Sequence, residues 1–283
     1  MQKFKLELLL HIMGIGSASG LFFNDNSLFL ISDNSNMLYE YNMTDKTTSK
    51  ISLADSTYTG PLENIPKKDK QDFEAITKLD NTLYIFGSGS GLKENRNSLA
   101  HYNFKTKTTQ APTDLTDLYL GMQSFGEISP EDFNIEAAVN DGTIWYLFQR
   151  GNGPAQQNGL FTLDGDINEI YFQIIYNPIT LPKINGAQAS FTDAVKVGDK
   201  LYFIAAAEKS GSTYLDGEVA GSLIGCIDIE TVKVEFTQII SNKNKFEGIT
   251  LYKDKGKSLE FLLCEDTDSD ATESDIYKLT IDK

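Results

Sequence analysis

Arginine, histidine, cysteine and tryptophan are scarce in this 283-residue chain: Arg96 and Arg150, His11 and His101, Cys226 and Cys264, and one tryptophan. Two histidines in separate strand-like contexts exclude a histidine-ligated zinc centre and leave a Ser/His/Asp relay with one badly placed base. The two cysteines sit in apolar β-like runs and read as buried free thiols rather than a disulfide framework. No apolar run approaches the roughly 20 residues that span a bilayer. The opening residues are broken by Lys5 and Glu7 and carry no small-residue cleavage site, so a cytoplasmic location is expected. Positive charge is short as well. A net charge of −15 argues against nucleic acid or an anionic membrane as partner, because both need a basic face.

What is present is a repeat. A polar residue, a small residue and an apolar stretch recur as Ser19-Gly20-Leu21, Glu74-Ala75-Ile76, Glu136-Ala137-Ala138, Asp193-Ala194-Val195 and Glu247-Gly248-Ile249. The small residues at 20, 75, 137, 194 and 248 are separated by 55, 62, 57 and 54 positions. Each copy continues through a turn into a second β-rich run: Asn24-Asp25-Asn26 before 28–31, Asp80-Asn81 before 83–86, Asn140-Asp141-Gly142 before 144–148, Gly198-Asp199 before 201–204, and a longer turn at 253–257 before 259–263. Asn, Asp and Gly tolerate the positive φ that tight hairpins demand. Third strands follow at 37–41, 98–102, 159–163, 222–229 and 275–279.

A strand-only repeat of this length is the signature of a propeller blade. The expected fold is all-β: one domain over 1–283, a five-bladed β-propeller with blades near 17–60, 72–115, 133–178, 190–240 and 246–283. The last copy ends after its third strand while the chain begins with one strand too many. Strand 3–11 is therefore expected to close blade 5 beside 276–281, removing an open edge. Helix is expected only as a local turn around 115–119.

In a propeller the inner strand of each blade starts at one face, and the loop between second and third strands returns there. Ser19, Glu74, Glu136, Asp193 and Glu247 should thus ring the channel mouth. Beside them fall Asp33 and Asn34, Ser88 and Ser90, Arg150, Glu208, and Glu265 with Asp266. Both arginines belong to these loops, and a guanidinium pairs two-pronged with carboxylate or phosphate.

Three explanations fit that convergence. The arginines neutralise the acids as a structural plug, with some acids satisfied by backbone amides of the next blade. Alternatively, Glu74, Glu136, Asp193, Glu247 and Glu265 hold calcium, which takes six to eight oxygens, while Arg96, Arg150, Ser88, Ser90, Asp33 and Asn34 hold a small polar or anionic ligand. The third is ligand binding without metal. Glu265, Asp266, Thr267, Asp268, Ser269 and Asp270 resemble the start of a calcium loop, but Ala271 replaces the turn glycine and Tyr277 the closing glutamate. The run Gly87-Ser88-Gly89-Ser90-Gly91 follows a strand without phosphate-loop spacing and reads as a flexible loop on this face. Residues 121–129 and 185–190 read as further polar loops there.

The phrases Ser17-Ala18-Ser19-Gly20-Leu21, Phe73-Glu74-Ala75-Ile76 and Phe246-Glu247-Gly248-Ile249, with second strands ending in Ser-Asp or Glu-Asp, resemble the phytase-like/esterase-like group of bacterial β-propellers. Over its whole length the chain is similar to an uncharacterised bacterial propeller family. The resemblance implies a channel that binds calcium in some members and ester or phosphoester hydrolysis in others. Two departures stand out: five blades instead of the common six, and no lysine-rich phosphate pocket. Fold analogy does not license a reaction. Three function classes follow: a binding module for a small polar ligand, a calcium-dependent ester or phosphoester hydrolase, and a glycosidase using two acids about 5 Å or about 6.5–9.5 Å apart.

Overall fold

The structure is a computed structural model that describes residues 3–151, 153–169, 173–209, 217–267 and 272–283. Its first strand, β1 (Phe4–Met13), is set aside while four blades are laid down in order. Blade 1 holds β2 (Ala18–Asn24), β3 (Ser27–Ser32), β4 (Met37–Asn42) and β5 (Thr48–Ser52). Blade 2 holds β6 (Phe73–Leu79), β7 (Thr82–Gly87), β8 (Ser98–Asn103) and β9 (Thr108–Asp114). A helix, α1 (Thr116–Gly126), leads to blade 3: β10 (Ile135–Asn140), β11 (Ile144–Gln149), β12 (Gly159–Asp164) and β13 (Gln173–Pro178). In blade 4 the short β14 (Lys183–Ile184) folds against β15 (Ala187–Val197), followed by β16 (Lys200–Glu208), β17 (Val219–Asp228) and β18 (Lys233–Ser241). Blade 5 has β19 (Phe246–Asp254), β20 (Ser258–Glu265) and β21 (Glu273–Asp282).

β1 returns as the outermost strand of blade 5. It pairs antiparallel with β21 from Phe4 opposite Ile281 to Met13 opposite Glu273. The inner strands β2, β6, β10, β15 and β19 neighbour one another in a closed ring. This is the expected five-bladed β-propeller.

The hairpin turns form where the residues allow them. Asp25, Asn26 and Asp80 sit at positive φ, as do Gly142, Gly198 and Gly256. The apolar side chains then separate into five clusters, one for each blade interface. Between blades 1 and 2, for example, Phe29, Ile31, Leu38, Phe73, Ile76 and Ile85 pack together. The recurring small residue has a steric cause: a Cβ on Gly248 would lie 3.0 Å from the Gly20 backbone and 2.5 Å from Leu21. The inner strands of blades 5 and 1 meet there.

Three loop expectations are corrected. α1 runs about three turns, taking in most of 121–129, because Leu118, Tyr119 and Met122 find a buried surface against Phe133, Ile128 and Phe86. Residues 185–190 are the β14–β15 turn and the start of β15. The run 87–91 is held firmly: Tyr119 donates to Gly87 O at 2.6 Å, and the Ser88 and Gly89 amides donate to Asp72 O and Arg96 O. Gly89, at φ +70°, lies under the Tyr119 ring, where a Cβ would stand 2.6 Å away.

Candidate functional site: the channel mouth

Every inner strand carries a β-bulge in its pairing with the second strand, at Ser19, Glu74, Glu136, Thr192 and Glu247, after the first pair in four blades and after the third in blade 4. A bulge leaves one residue out of the ladder and re-aims its side chain. Two of the five are hydroxyls and bind the next blade directly: Ser19 donates to Phe73 O at 2.5 Å and Thr192 to Phe246 O at 2.7 Å. The other three are glutamates. In blade 4 the register differs from expectation by one residue, so Asp193 occupies the small-residue position and Thr192 the bulge.

Around Glu74 lies the first of two ionic groups. Oxygens of Asp33, Asp72 and Glu74 all lie within 4.8 Å of one another. Lys70 bridges Asp33 and Asp72, at 2.7 Å from the latter, and Arg96 reaches Asp72 at 2.8 Å. Ser88 and Ser90 also donate to Asp72, at 2.5 and 3.0 Å, and Arg96 donates onward to Ser90 Oγ and Lys67 O. Asp72 is therefore saturated. In contrast, Asp33 Oδ1 is buried with no hydrogen bond, and Glu74 makes no hydrogen bond or ion pair among the described residues.

The second group centres on two cations. Arg150 reaches Glu136 at 3.1 Å, Glu208 at 3.5 Å and Glu247 at 3.7 Å. Lys245 lies 3.2 Å from both Glu208 and Glu247 and 3.4 Å from Asp266. The Asn134 side chain donates to Glu136 at 2.6 Å, and its backbone N–H donates to the Gln149 side-chain oxygen at 2.9 Å. Among the described residues, seven carboxylates face four cations across both groups, three in surplus.

That surplus sets the protonation. Burial, then Glu136, Asp72, Asp33 and Glu247, push Glu74 well above the usual carboxylate range. Burial pushes Glu247 up to about 8, with Asp266 and Glu136 adding to it and Lys245 and Arg150 opposing. Burial also raises Glu136 and Asp33. Asp72 runs the other way: burial alone would raise it, but Lys70 and Arg96 hold it below its ordinary value. Protons or an added cation can meet the deficit.

The residues singled out in the sequence divide as follows. Glu74, Glu136 and Glu247 converge and act on one another electrostatically. Asp193 instead accepts the amides of Ala194 and Ile249, each at 2.7 Å, the second from the next blade. Glu265 accepts from Asn244 at 2.8 Å, and the Asn34 side chain accepts from Ser32. Both guanidinium groups are committed to carboxylates of the protein itself. Asp268, Ser269, Asp270 and Ala271 lie outside the described residues. Sequence reasoning passed over Lys70, Asp72 and Lys245, which sit just ahead of the inner strands. The signal was there: a lysine precedes the Phe-Glu pair by three residues in blade 2 and by one in blade 5.

Fold and mouth together define a five-bladed β-propeller whose channel opens on a buried acidic cluster that its cations compensate only in part. The chain belongs to a family of unknown function (DUF6929), whose model matches residues 14–281. No curated protein matches the sequence. Among solved structures it is similar to a Bacteroides ovatus protein described as xyloglucan PUL GH43B, at 13% identity and a TM-score of 0.55, covering 92% of this chain and 50% of that one. The chain thus spans half that protein's length. It is also similar to the PQQ-bound aldose sugar dehydrogenase of Streptomyces coelicolor, at 13% identity, 99% coverage of both chains and a TM-score of 0.53. A luciferin-regenerating enzyme matches at 11% identity, 99% and 97% coverage and a TM-score of 0.50. At such identities the likeness concerns the fold. No helix of the described residues is long and apolar enough to cross a membrane.

Proposed function

We propose that the protein is a binding propeller whose channel mouth takes calcium at Asp33 and Glu74, beside the already occupied Asp72, and uses it to hold a small polar ligand. The observation that carries this reading is the pair of idle acceptors, Asp33 Oδ1 and the Glu74 carboxylate, in a cluster whose oxygens lie within 4.8 Å of each other. Calcium takes six to eight oxygens, so carboxylates and water suit it. Lys70 already bridges Asp33 and Asp72, and the idle oxygens are what remains for an ion. The three-charge surplus supports the same reading. An anionic ligand draws little support from Arg96 and Arg150, whose guanidinium groups already pair with Asp72 and with Glu136 and Glu208. The buried free thiols of Cys226 and Cys264 are in keeping with a cytoplasmic location.

A hydrolytic reading, on an ester or phosphoester, has one observation in its favour: a buried carboxyl at Glu74, pushed by burial and the neighbouring acids well above the usual carboxylate range, beside the cluster. The glycosidase reading loses ground. Its ionised partner here is Asp72, 5% exposed and already bound by Lys70, Arg96, Ser88 and Ser90.

The test is calorimetric titration of chelator-treated protein with calcium chloride. A single saturable site that is lost in Glu74→Gln supports the proposal. Absence of binding at millimolar calcium refutes it.

A further inference from the structure

Between blades 1 and 2, on the face that carries the channel mouth, lies a cavity of about 100 Å³. Its walls come from the segment after β5, from Gln71 and Phe73 at the entry to β6, and from Ser98 and Pro112 in β8 and β9. Most of the wall is apolar: Leu53, Ala54, Phe73, Pro112 and the ring of Tyr58. The wall is also fixed. Tyr58 donates its hydroxyl to Pro61 O at 2.9 Å, and the Leu53 amide donates to Asn36 O at 2.8 Å.

One polar group in that lining is buried and unpaired. Asn36 is 1% exposed, and neither its side-chain oxygen nor its side-chain nitrogen has a hydrogen-bond partner among the described residues. A buried amide left unpaired is destabilising, because it has lost its hydrogen bonds to water and gained none. Its backbone is used on both sides, the N–H donating to Leu62 O and the carbonyl accepting from the Leu53 amide. We propose that this cavity is a second binding site, for a small neutral carboxamide whose amide pairs with Asn36 and whose apolar body rests on Phe73 and Leu53.

The chemistry of the wall selects that class. Asn36 offers one acceptor and one N–H₂ donor side by side, the complement of a primary amide. The one charged side chain lining the cavity is Asp55, whose Oδ1 already accepts from the amide and hydroxyl of Thr57, so an anion meets repulsion there without a counter-charge. Water is the competing occupant, but a buried water makes about three hydrogen bonds and this wall is mostly carbon. An apolar cavity of about 150 Å³ holds benzene, so this one suits a body of roughly four to six heavy atoms. The site stands apart from calcium binding, since it uses none of the acid cluster's side chains. Gln71 and Phe73 do flank Asp72 in the chain, which places an occupant next to the channel mouth.

Isobutyramide is the probe, titrated by NMR into the full chain with chelator present, so that the calcium reading is not tested at the same time. The expected result is saturable binding in the millimolar range, with no binding of isobutyrate. Asn36→Leu should weaken it at least tenfold while keeping or raising the melting temperature. Ala54→Leu, at the rim, should fill the space and abolish binding in a folded protein. Failure of isobutyramide to saturate the wild type overturns the proposal, as does equal binding by both variants. A crystal soaked in isobutyramide that shows only ordered waters on Asn36 also overturns it.

Discussion

The Ser19 hydroxyl donates to the carbonyl of Phe73, 54 residues away, and so ties the inner strand of blade 1 to that of blade 2. Thr192 makes the same bond to Phe246, again across 54 residues. The two bulges do the same work on opposite sides of the ring. Ser19→Ala and Thr192→Val should each cost about 1–3 kcal/mol, because each leaves a buried carbonyl without its partner. Their effects should add in the double variant, the sites being in different blade interfaces. Chemical denaturation measures both, and a loss well below 0.5 kcal/mol would remove the inter-blade role.

Arg150 holds three carboxylates. Arg150→Ala should destabilise the protein by about 3–5 kcal/mol, since Glu136, Glu208 and Glu247 are left with less compensation in a buried setting. Arg150→Lys should recover part of this, having one point charge in place of a planar fork. An unchanged denaturation midpoint in Arg150→Ala would show that Lys245 alone carries the cluster.

Stability should fall as pH rises through neutrality. For Glu247 the unfolded chain loses its proton near 4.5 while the folded protein keeps it up to about 8, so between these values the unfolded state binds fewer protons. The contribution is whole below 4.5 and is lost on going up. Glu74 acts in the same direction. Asp72 acts oppositely: its contribution is present above 3.8 and is lost on acidification through its lowered folded value. Melting temperature in chelator should therefore peak on the acid side of neutrality and decline toward pH 8. Glu247→Gln should flatten that decline.

Calcium should reverse the trend. An ion at Glu74 binds the carboxylate and expels the proton, so calcium affinity should increase with pH. At a hundredfold excess over its dissociation constant it should add about 2.7 kcal/mol of stability. Thermal melts at pH 6 and pH 8, with calcium and with chelator, separate this from the effect of pH alone.

The three inner strands of each blade were legible because both faces are buried and their residues say so, as in Leu28, Phe29, Leu30 and Ile31. The outermost strands of blades 1 to 4 were not. β5 and β9 read Thr-Ser-Lys-Ile-Ser and Thr-Thr-Gln-Ala-Pro-Thr-Asp, and most of their residues are exposed or half-buried. Their place is fixed by backbone pairing with β4 and β8, which leaves little trace in side-chain pattern. α1 was shortened to one turn because Leu120 and Phe125 face outward and blur its apolar stripe. At the mouth, the three glutamates were legible from their recurrence. Asp193 was placed one residue out of register because Ala194 imitates the small residue of the other copies. Lys70 and Lys245 look like any solvated lysine until the fold buries them against carboxylates.

The pairing of β1 with β21 also fixes an order of events. His11 and its partner Asp275 stand 264 residues apart, and the bond between their strands closes the circle. During synthesis β1 emerges first and has nothing to pair with until β21 is made, so blades 1 to 4 can assemble sequentially while the first strand waits. Latching the ring is a late step with a long loop to close, and an apolar strand kept waiting near a ribosome is the point at which a second nascent chain can intervene.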